Sequence, residues 1–209
     1  MFTKFQLMNY KLLLVTIFLI FTSTLLFSQS FNGGILAGVA ATEISGDRLD
    51  GPNKAGVYAG GFVNTYFTDR SSVQMELDFI QKGSRQNPDS TSTDSYLLRL
   101  NYVELVLHYR WDFGKVFSLE AGPSLGLLIN KPPYEESNGQ DITGRDPQFK
   151  TPDLSLNIGM FVSLTERLRF NIRYSNSILA VRPHASGQTY KWNQGQYNEN
   201  LSFVFFYQF

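Results

Sequence analysis

The chain has 209 residues, and its 18 basic and 18 acidic side chains give a formal net charge of zero. This balance, together with the lack of any run of Lys or Arg, argues against a nucleic-acid partner. The sequence contains no cysteine, which excludes a disulfide scaffold, a thiolate metal site and a cysteine nucleophile.

The first 30 residues have the pattern of a secretory signal peptide. Lys4 and Lys11 form a basic region, an apolar run covers residues 12–26, and the small residues Ser28 and Ser30 follow. The apolar run is shorter than the ~20 residues that a membrane-spanning helix needs. We therefore predict that residues 1–30 are a cleaved signal peptide and not a membrane anchor. Without the two leader lysines, 16 basic side chains face 18 acidic ones in the mature domain, residues 31–209.

Beyond the leader, apolar and polar residues alternate with a period of two, which is the pattern of β-strands. In the segment 72–82, the odd-numbered positions from Val73 to Phe79 are apolar, and Gln74, Glu76 and Asp78 lie between them. Each predicted strand is close to or longer than the roughly 9–11 residues that cross a bilayer at a tilt. The alternation predicts eight strands, at residues 31–41, 56–67, 72–82, 96–111, 116–130, 153–164, 168–178 and 197–209.

The connections between the predicted strands alternate in length. Short turns at 68–71, 112–115 and 165–167 alternate with long polar loops at 42–55, 83–95, 131–152 and 180–196. Outer-membrane barrels have short periplasmic turns and long extracellular loops. We therefore predict an all-β fold: an eight-stranded antiparallel up-and-down transmembrane β-barrel in the lipid of the cell outer membrane.

A soluble barrel of the lipocalin type is the main structural alternative, because it also alternates but turns its apolar face inward around a ligand. Two features favour the membrane barrel. The polar face is rich in Ser, Gly and Asn, which suits a crowded lumen better than open water. Aromatic residues also collect where the strands meet the short turns, as in the girdle of a lipid-facing band: Tyr66, Phe67, Tyr109, Trp111, Phe113, Phe117, Phe170, Tyr207 and Phe209.

The last predicted strand adds a third feature that favours the membrane. Phe205, Tyr207 and Phe209 alternate up to the final residue and resemble the C-terminal signal that the outer-membrane assembly machinery recognises. A soluble barrel needs no such signal. The assembly machinery is therefore an expected partner of the chain.

The polar faces of the strands carry charges that a barrel would bury in its lumen. Buried charges must pair to offset their desolvation, so these residues predict a salt-bridged plug near the periplasmic turns. The interior of an eight-stranded barrel is just filled by side chains, which argues against a diffusion channel. The upper half, lined by Ser124, Gly126, Ser155 and Ser177, is expected to form a shallow pocket open to the outside. The predicted charge network comprises Glu76, Asp78, Glu104, His108, Arg110, Glu120, Arg169 and Arg173.

The sequence offers little material for catalysis or for a metal. Its two histidines, His108 and His184, are far apart in sequence, and we expect His108 to belong to the polar network beside Glu120. The acidic residues near Glu135 and Asp141 lack the spacing of a calcium loop. We therefore predict that the protein is not an enzyme and uses no metal or cofactor.

The long loops are the remaining surface for function. They contain aromatic and basic side chains of the kind that bind protein or saccharide partners. We therefore predict a structural or binding role through the extracellular loops. The aromatic residues in question are Tyr134, Tyr190, Trp192 and Tyr197.

Several motifs in the mature domain resemble the outer-membrane barrel family named after PorT. They are Gln74-Met75-Glu76-Leu77, Gln81-Lys82-Gly83, Leu100-Asn101-Tyr102-Val103-Glu104-Leu105, Leu119-Glu120-Ala121-Gly122-Pro123-Ser124-Leu125-Gly126 and Arg173-Tyr174. The resemblance implies a Bacteroidetes-type outer-membrane barrel. The founding member is linked to a protein-secretion and gliding system, so an accessory role in such a complex is the alternative function. A barrel enzyme and a soluble lipocalin-like carrier are weaker alternatives.

Overall fold

The computed structural model describes residues 31–209 except 48, 50, 89, 91, 145–146 and 185–194, so the predicted leader lies outside the described residues. No helix in this part of the chain is long and apolar enough to cross a membrane. The strands are β1 (Phe31–Ser45), β2 (Lys54–Tyr66), β3 (Ser71–Lys82), β4 (Arg85–Gln86), β5 (Tyr96–Phe113), β6 (Phe117–Leu128), β7 (Tyr134–Ser137), β8 (Gln140–Asp141), β9 (Pro152–Ser163), β10 (Leu168–Ser177) and β11 (Tyr197–Gln208).

Eight long strands close into a ring in which every neighbour is antiparallel, in the order β1-β2-β3-β5-β6-β9-β10-β11. The pairing of β11 with β1, in which Val39 lies opposite Phe203, completes the circle. A closed ring leaves no strand edge unpaired, as lipid requires, because an unsatisfied backbone group costs several kcal/mol there. The predicted eight-stranded antiparallel barrel is confirmed.

The strand boundaries agree with the predicted ones to within two residues, except at the end of β1. This strand continues to Ser45, because Thr42 and Ile44 keep facing inward and pair with the start of β11. The first loop is therefore shorter than predicted. The sequence also did not predict the short strands β4, β7 and β8. Strands β4 and β7 pair with the first residues of β5 beyond the ring, and β8 pairs with β7. Strands this short carry no periodic signal.

Two of the short turns are built in the same way. Thr68 Oγ1 accepts hydrogen bonds from the N–H groups of Arg70 and Ser71, and Thr165 Oγ1 accepts them from the equivalent positions of its turn. The third turn reverses at Gly114, whose φ of 68° lies in the left-handed region that favours glycine. These turns define one end of the barrel, the turn end, and the long connections define the other, the loop end.

The two faces of the strands have opposite polarity, with the apolar face outside. Leu77 and Ile158 are each 61% exposed, whereas Gln74 and Glu76 are 0% and 1% exposed. A soluble barrel would bury the apolar face and expose the polar one. This arrangement fits a barrel surrounded by lipid and excludes the lipocalin-like alternative.

Aromatic side chains ring the outside of the turn end, as the sequence predicts. Phe67 packs on Tyr109 with ring centroids 6.0 Å apart, and Trp111 packs on Phe113 at 4.1 Å. Tyr66 differs from the prediction, because it lies on the inward parity of β2 and its hydroxyl donates to Asp112 at 2.9 Å. Proximity to a turn did not distinguish the two faces, whereas strand parity does.

Candidate functional site in the lumen and at the loop end

Arg173 of β10 lies at the centre of the lumen between two carboxylates. Its Nη1 and Nη2 atoms each donate to Glu76 at 2.8 Å, and its Nε donates to Glu120 at 2.8 Å. All three side chains are buried. A planar guanidinium suits such fork-like pairing, and the pairing offsets the cost of removing these charges from water.

Polar side chains around this group satisfy the remaining carboxylate lone pairs. Gln74 Nε2 donates to Glu76 at 2.6 Å, and Asn171 Nδ2 donates to Glu120 at 2.8 Å. His108 lies with its Nδ1 atom 3.1 Å from Glu120 Oε2. The central cluster therefore joins side chains from β3, β5, β6 and β10, which ties distant parts of the ring together.

Two neutral residues connect further charges to the central cluster. The Tyr58 hydroxyl accepts a hydrogen bond from Arg173 Nη1 at 2.7 Å and donates one to Asp78 at 3.0 Å. On another side, Arg110 Nη1 donates to Gln74 Oε1 at 2.9 Å. The sequence did not predict these hydrogen bonds, because an uncharged inward-facing side chain does not indicate which charged residue it will contact.

A second buried cluster centres on Lys82. Its Nζ atom lies 2.6 Å from Glu104 Oε1 and 3.0 Å from Asp153 Oδ2. Asp153 also accepts hydrogen bonds from Ser177 Oγ at 2.6 Å and from Asn198 Nδ2 at 2.8 Å. Glu104 therefore pairs with a lysine, whereas the sequence suggested a single arginine-based plug.

The predicted charge residues are thus divided between separate places. Glu76, His108, Glu120 and Arg173 lie together, and Asp78 and Arg110 join them through neutral side chains, as described above. Arg169 stands apart at the turn end, half-buried, and donates to Gln208 at 2.7 Å. Asp153 was missed, although its parity with the inward residues Ser155 and Asn157 would have indicated it.

Glycines opposite the lumen carboxylates explain why the inner face is rich in small residues. Gly159 pairs with Glu120 across the strands, and a Cβ atom there would lie 2.5 Å from Glu120 Oε1. Gly126 pairs with Glu104, and a Cβ there would lie 2.9 Å from Glu104 Oε1. With a Cβ this close, each carboxylate would have to move away from its present position. The glycines therefore provide the space in which the carboxylates reach their partners.

An apolar layer fills the lumen between the central cluster and the turn end. Phe206 packs on Phe62 and Phe161 with ring centroids 5.3 and 4.9 Å away, and the Arg110 guanidinium lies 4.6 Å from the Phe161 ring centroid. The sequence prediction of a charged plug did not include these inward-facing aromatic rings. The lower lumen is therefore closed by packed rings as well as by ion pairs.

The described residues that were predicted to line an open pocket in the upper lumen do not do so. Ser124, Ser155 and Ser177 are all buried. The buried side chains of Leu100 and Tyr102 occupy the same half of the barrel, together with the Lys82 cluster. The prediction was wrong because apolar inward positions of β5 were not counted.

We expect the purified protein to show no large steady conductance in a planar bilayer. The lumen holds two buried ion clusters and a layer of aromatic rings, and an eight-stranded barrel has no space for a water channel beside them. Single-channel recording is the measurement. Stable openings in the nanosiemens range would contradict a closed lumen.

Replacing Ser177 with alanine should lower the free energy of unfolding by about 1.5 kcal/mol, because a buried hydrogen bond to a charged group is lost. Ser177 Oγ donates to Asp153 and accepts from the N–H of Asn198. Ser124→Ala is the matched control, since Ser124 is equally buried but its Oγ makes no hydrogen bond. Equal effects in urea unfolding would contradict the second cluster.

Glu76, His108 and Glu120 have the ligand types of a metal site, with one ligand atom from each lying within 4.8 Å of the others. Arg173, however, donates to both carboxylates, so a divalent ion would have to displace a permanent cation. His108 is fully buried and out of reach of a substrate. The cluster therefore fits a structural ion network better than a metal or catalytic centre.

The loop end is organised around a second arginine. Arg182 Nη1 lies 3.0 Å from Glu135 Oε1, its Nε donates to the Pro147 carbonyl at 2.7 Å, and its guanidinium lies 4.6 Å from the Phe149 ring centroid. The Tyr96 hydroxyl donates to Glu135 at 2.6 Å. Burial and this hydrogen bond raise the pKa of Tyr96 above its usual range, so the hydroxyl stays protonated.

Arg182, Glu135 and Tyr96 form the floor of a cavity of about 460 Å³ that opens at the loop end. Of the aromatic residues predicted for partner binding, Tyr134 is exposed on β7, where Arg99 lies 5.6 Å from its ring centroid. Tyr197 is buried at the start of β11 and is not available. Tyr190 and Trp192 lie outside the described residues.

A closed eight-stranded ring with an apolar outside and a charged, filled inside defines an outer-membrane β-barrel protein. The family described as outer membrane protein beta-barrel domain matches residues 27–180, and the chain belongs to this family. Its location is the outer membrane. No functionally curated protein shows significant sequence similarity to the chain.

Solved structures of other outer-membrane barrels are similar to the chain. Neisserial surface protein A (NspA) has 13% sequence identity and a TM-score of 0.51, covering 85% of this chain and 97% of its own. Ail of Yersinia pestis has 13% identity and a TM-score of 0.49, covering 85% and 98%. At 13% identity, the similarity to NspA supports the fold and no particular function.

Proposed function

We propose that the protein is a non-enzymatic outer-membrane barrel that binds an extracellular protein or saccharide partner through its long loops. The observation that carries this proposal is the cavity at the loop end with its ordered Arg182–Glu135–Tyr96 floor. The long connections of outer-membrane barrels face the outside of the cell. The lumen is filled, whereas the loop end offers a partner outside the cell a preformed concave surface.

In this proposal the lumen charges have a structural role. Glu76, Asp78, His108, Arg110, Glu120 and Arg173 hold the ring together from inside, and Glu104 does so through Lys82. The position of His108 supports a non-enzymatic role, because this side chain is fully buried against Glu120 and a substrate could not reach it. The barrel then acts as a rigid anchor that presents the loops.

A photo-crosslinking side chain placed at defined positions tests the loop-end function in the native bacterium. Thr93 and Tyr134 are exposed at the loop end, and Asp69 and Glu166 are exposed in the short turns as matched controls. We expect crosslinked products from intact cells at the loop positions and none at the turn positions. Products confined to the turn positions would contradict binding through the loops.

An accessory role in a protein-secretion or gliding complex is the second candidate, supported by the resemblance to the PorT family and its Bacteroidetes-type members. The acidic residues of the resembling motifs are Glu76, Glu104 and Glu120, and all three are engaged in lumen ion pairs. The motifs are thus accounted for by packing inside the barrel. A pull-down of secretion components from native outer membranes would support this candidate.

We further propose that residues 1–30 are removed on secretion and that Phe205, Tyr207 and Phe209 are recognised by the assembly machinery. These three side chains are exposed on the outer face at the turn end. N-terminal sequencing of protein from the outer membrane should begin between residues 29 and 31. Retention of Met1 would contradict the removal of residues 1–30. Normal assembly of a Phe209→Ala variant would contradict recognition by the assembly machinery.

A further inference from the structure

Most of the residues that line the cavity at the loop end have polar side chains, and their carbon atoms contribute about as much of its surface as their polar atoms do. Among the described residues that line it, Leu49 is the aliphatic member and Tyr96 the aromatic one. Its volume of about 460 Å³ is in the usual range for small-molecule sites, but those sites are mostly apolar. An apolar ligand would leave the lining groups desolvated and unpaired. The ligand that fits must itself carry many hydrogen-bonding groups.

The floor of the cavity is preorganised. Glu135 is held by Arg182 at 3.0 Å and by Tyr96 at 2.6 Å, so both of these side chains have fixed positions before any ligand arrives. At the rim, Asn138 Oδ1 accepts from the N–H of Ser95 at 2.7 Å. A rigid polar surface reduces the entropy lost on binding.

Gln196 supplies an unsatisfied group at this surface. Gln196 is 7% exposed, and its Oε1 atom accepts no hydrogen bond from the described residues. The backbone around it is held by hydrogen bonds to Val181 and Arg182, each 2.8 Å long. A buried acceptor without a donor is unfavourable, and a hydrogen bond from a ligand hydroxyl or amine would remove this cost.

The charges of the lining select against anions. Among the described residues that line the cavity, Asp47, Asp94 and Glu135 are acidic and Arg182 is basic, and Arg182 is paired with Glu135. A sulfated or phosphorylated ligand would meet the other two carboxylates, whereas hydroxyl and ammonium groups can donate to them. The ring of Tyr96 offers an apolar surface for the C–H face of a sugar.

We propose that this cavity binds an uncharged or amine-bearing saccharide. The proposal rests on the proposed loop-end function and names the class of its ligand. Carboxylate and carboxamide side chains are suited to pairs of neighbouring hydroxyl groups, and Gln196 supplies an acceptor that has no donor among the described residues.

An array of immobilised mono- and disaccharides, with neutral, amine-bearing and sulfated members, tests the proposal with the full barrel in lipid nanodiscs. We expect binding to neutral or amine-bearing sugars and none to sulfated ones. Gln196→Leu should weaken the best interaction by on the order of tenfold, the loss of one buried hydrogen bond. Gln140→Leu is the matched control, because Gln140 is exposed outside the cavity, and it should bind unchanged.

Heat-modifiable gel mobility shows whether each variant is folded, and Asp94→Ala provides a second, exposed lining change that should also weaken binding. Binding confined to sulfated sugars, or equal binding by the Gln196 and Gln140 variants, would overturn the ligand class. The ligand class is also overturned if no sugar binds while loop-end crosslinks still form, but in that case the proposed loop-end function stands. If neither sugar binding nor loop-end crosslinks are observed, both the ligand class and the proposed loop-end function are overturned.

Discussion

Replacing Arg173 with methionine should lower the free energy of unfolding by about 3–5 kcal/mol, the cost of leaving buried charges without their partner. Arg173 contacts Glu76 and Glu120 with three hydrogen bonds of 2.8 Å and also donates to Tyr58. Methionine fills much of the same volume but cannot neutralise either carboxylate. Urea unfolding in phospholipid vesicles, followed by heat-modifiable gel mobility, measures the change.

Two further variants separate the loss of pairing from the loss of packing. The triple variant with Glu76→Gln, Glu120→Gln and Arg173→Met removes all three charges and should recover a large part of the stability, because no unpaired ion stays buried. Arg169→Met is the control for removing an arginine from the same strand, since Arg169 is half-buried and donates to Gln208. Similar costs for the two single variants would contradict the central cluster.

Replacing Ile158 with arginine should lower the free energy of unfolding by about 2–4 kcal/mol, the cost of a charge on the lipid face near the middle of the membrane. Ile158 is 61% exposed on the outer face of β9. Leu125→Arg, on the outer face of β6, should behave in the same way. The measurement is again urea unfolding in vesicles.

Ser124→Ala is the inner-face control for these arginine variants. Ser124 is the immediate neighbour of Leu125 but points into the lumen, where its hydroxyl makes no hydrogen bond. It should therefore change the stability little. A small effect of Leu125→Arg together with a large effect of Ser124→Ala would mean that the apolar face lies inside.

The strands and the polarity of their faces were predictable because both depend on neighbours in the sequence. A side chain in a strand points away from those beside it, so Val73 and Met75 share one face and Gln74 and Glu76 share the other. The same parity would have placed Tyr66 inside, where it contacts Asp112. That error came from using the distance to a turn in place of parity.

The identity of the ion pairs was not predictable, because it depends on how the strands are staggered around the ring. Glu76 and Arg173 are 97 residues apart in sequence, and Lys82 and Asp153 are 71 apart. Parity shows that each faces the lumen, but strand tilt and shear set the depth at which each meets a partner. Glu104 was therefore predicted as a member of the same network as the arginines, and it pairs with Lys82 in a separate cluster.

The sequence by itself determined that the chain forms eight alternating strands with long loops at one end, since period and turn chemistry are local properties. The tertiary structure decided that Arg173 pairs with Glu76 and Glu120 while Lys82 pairs with Glu104 and Asp153. It also brought Tyr96, Glu135 and Arg182 from three separate segments to one cavity. These contacts arise only when distant strands are fixed in register, so their physical origin is the geometry of barrel closure.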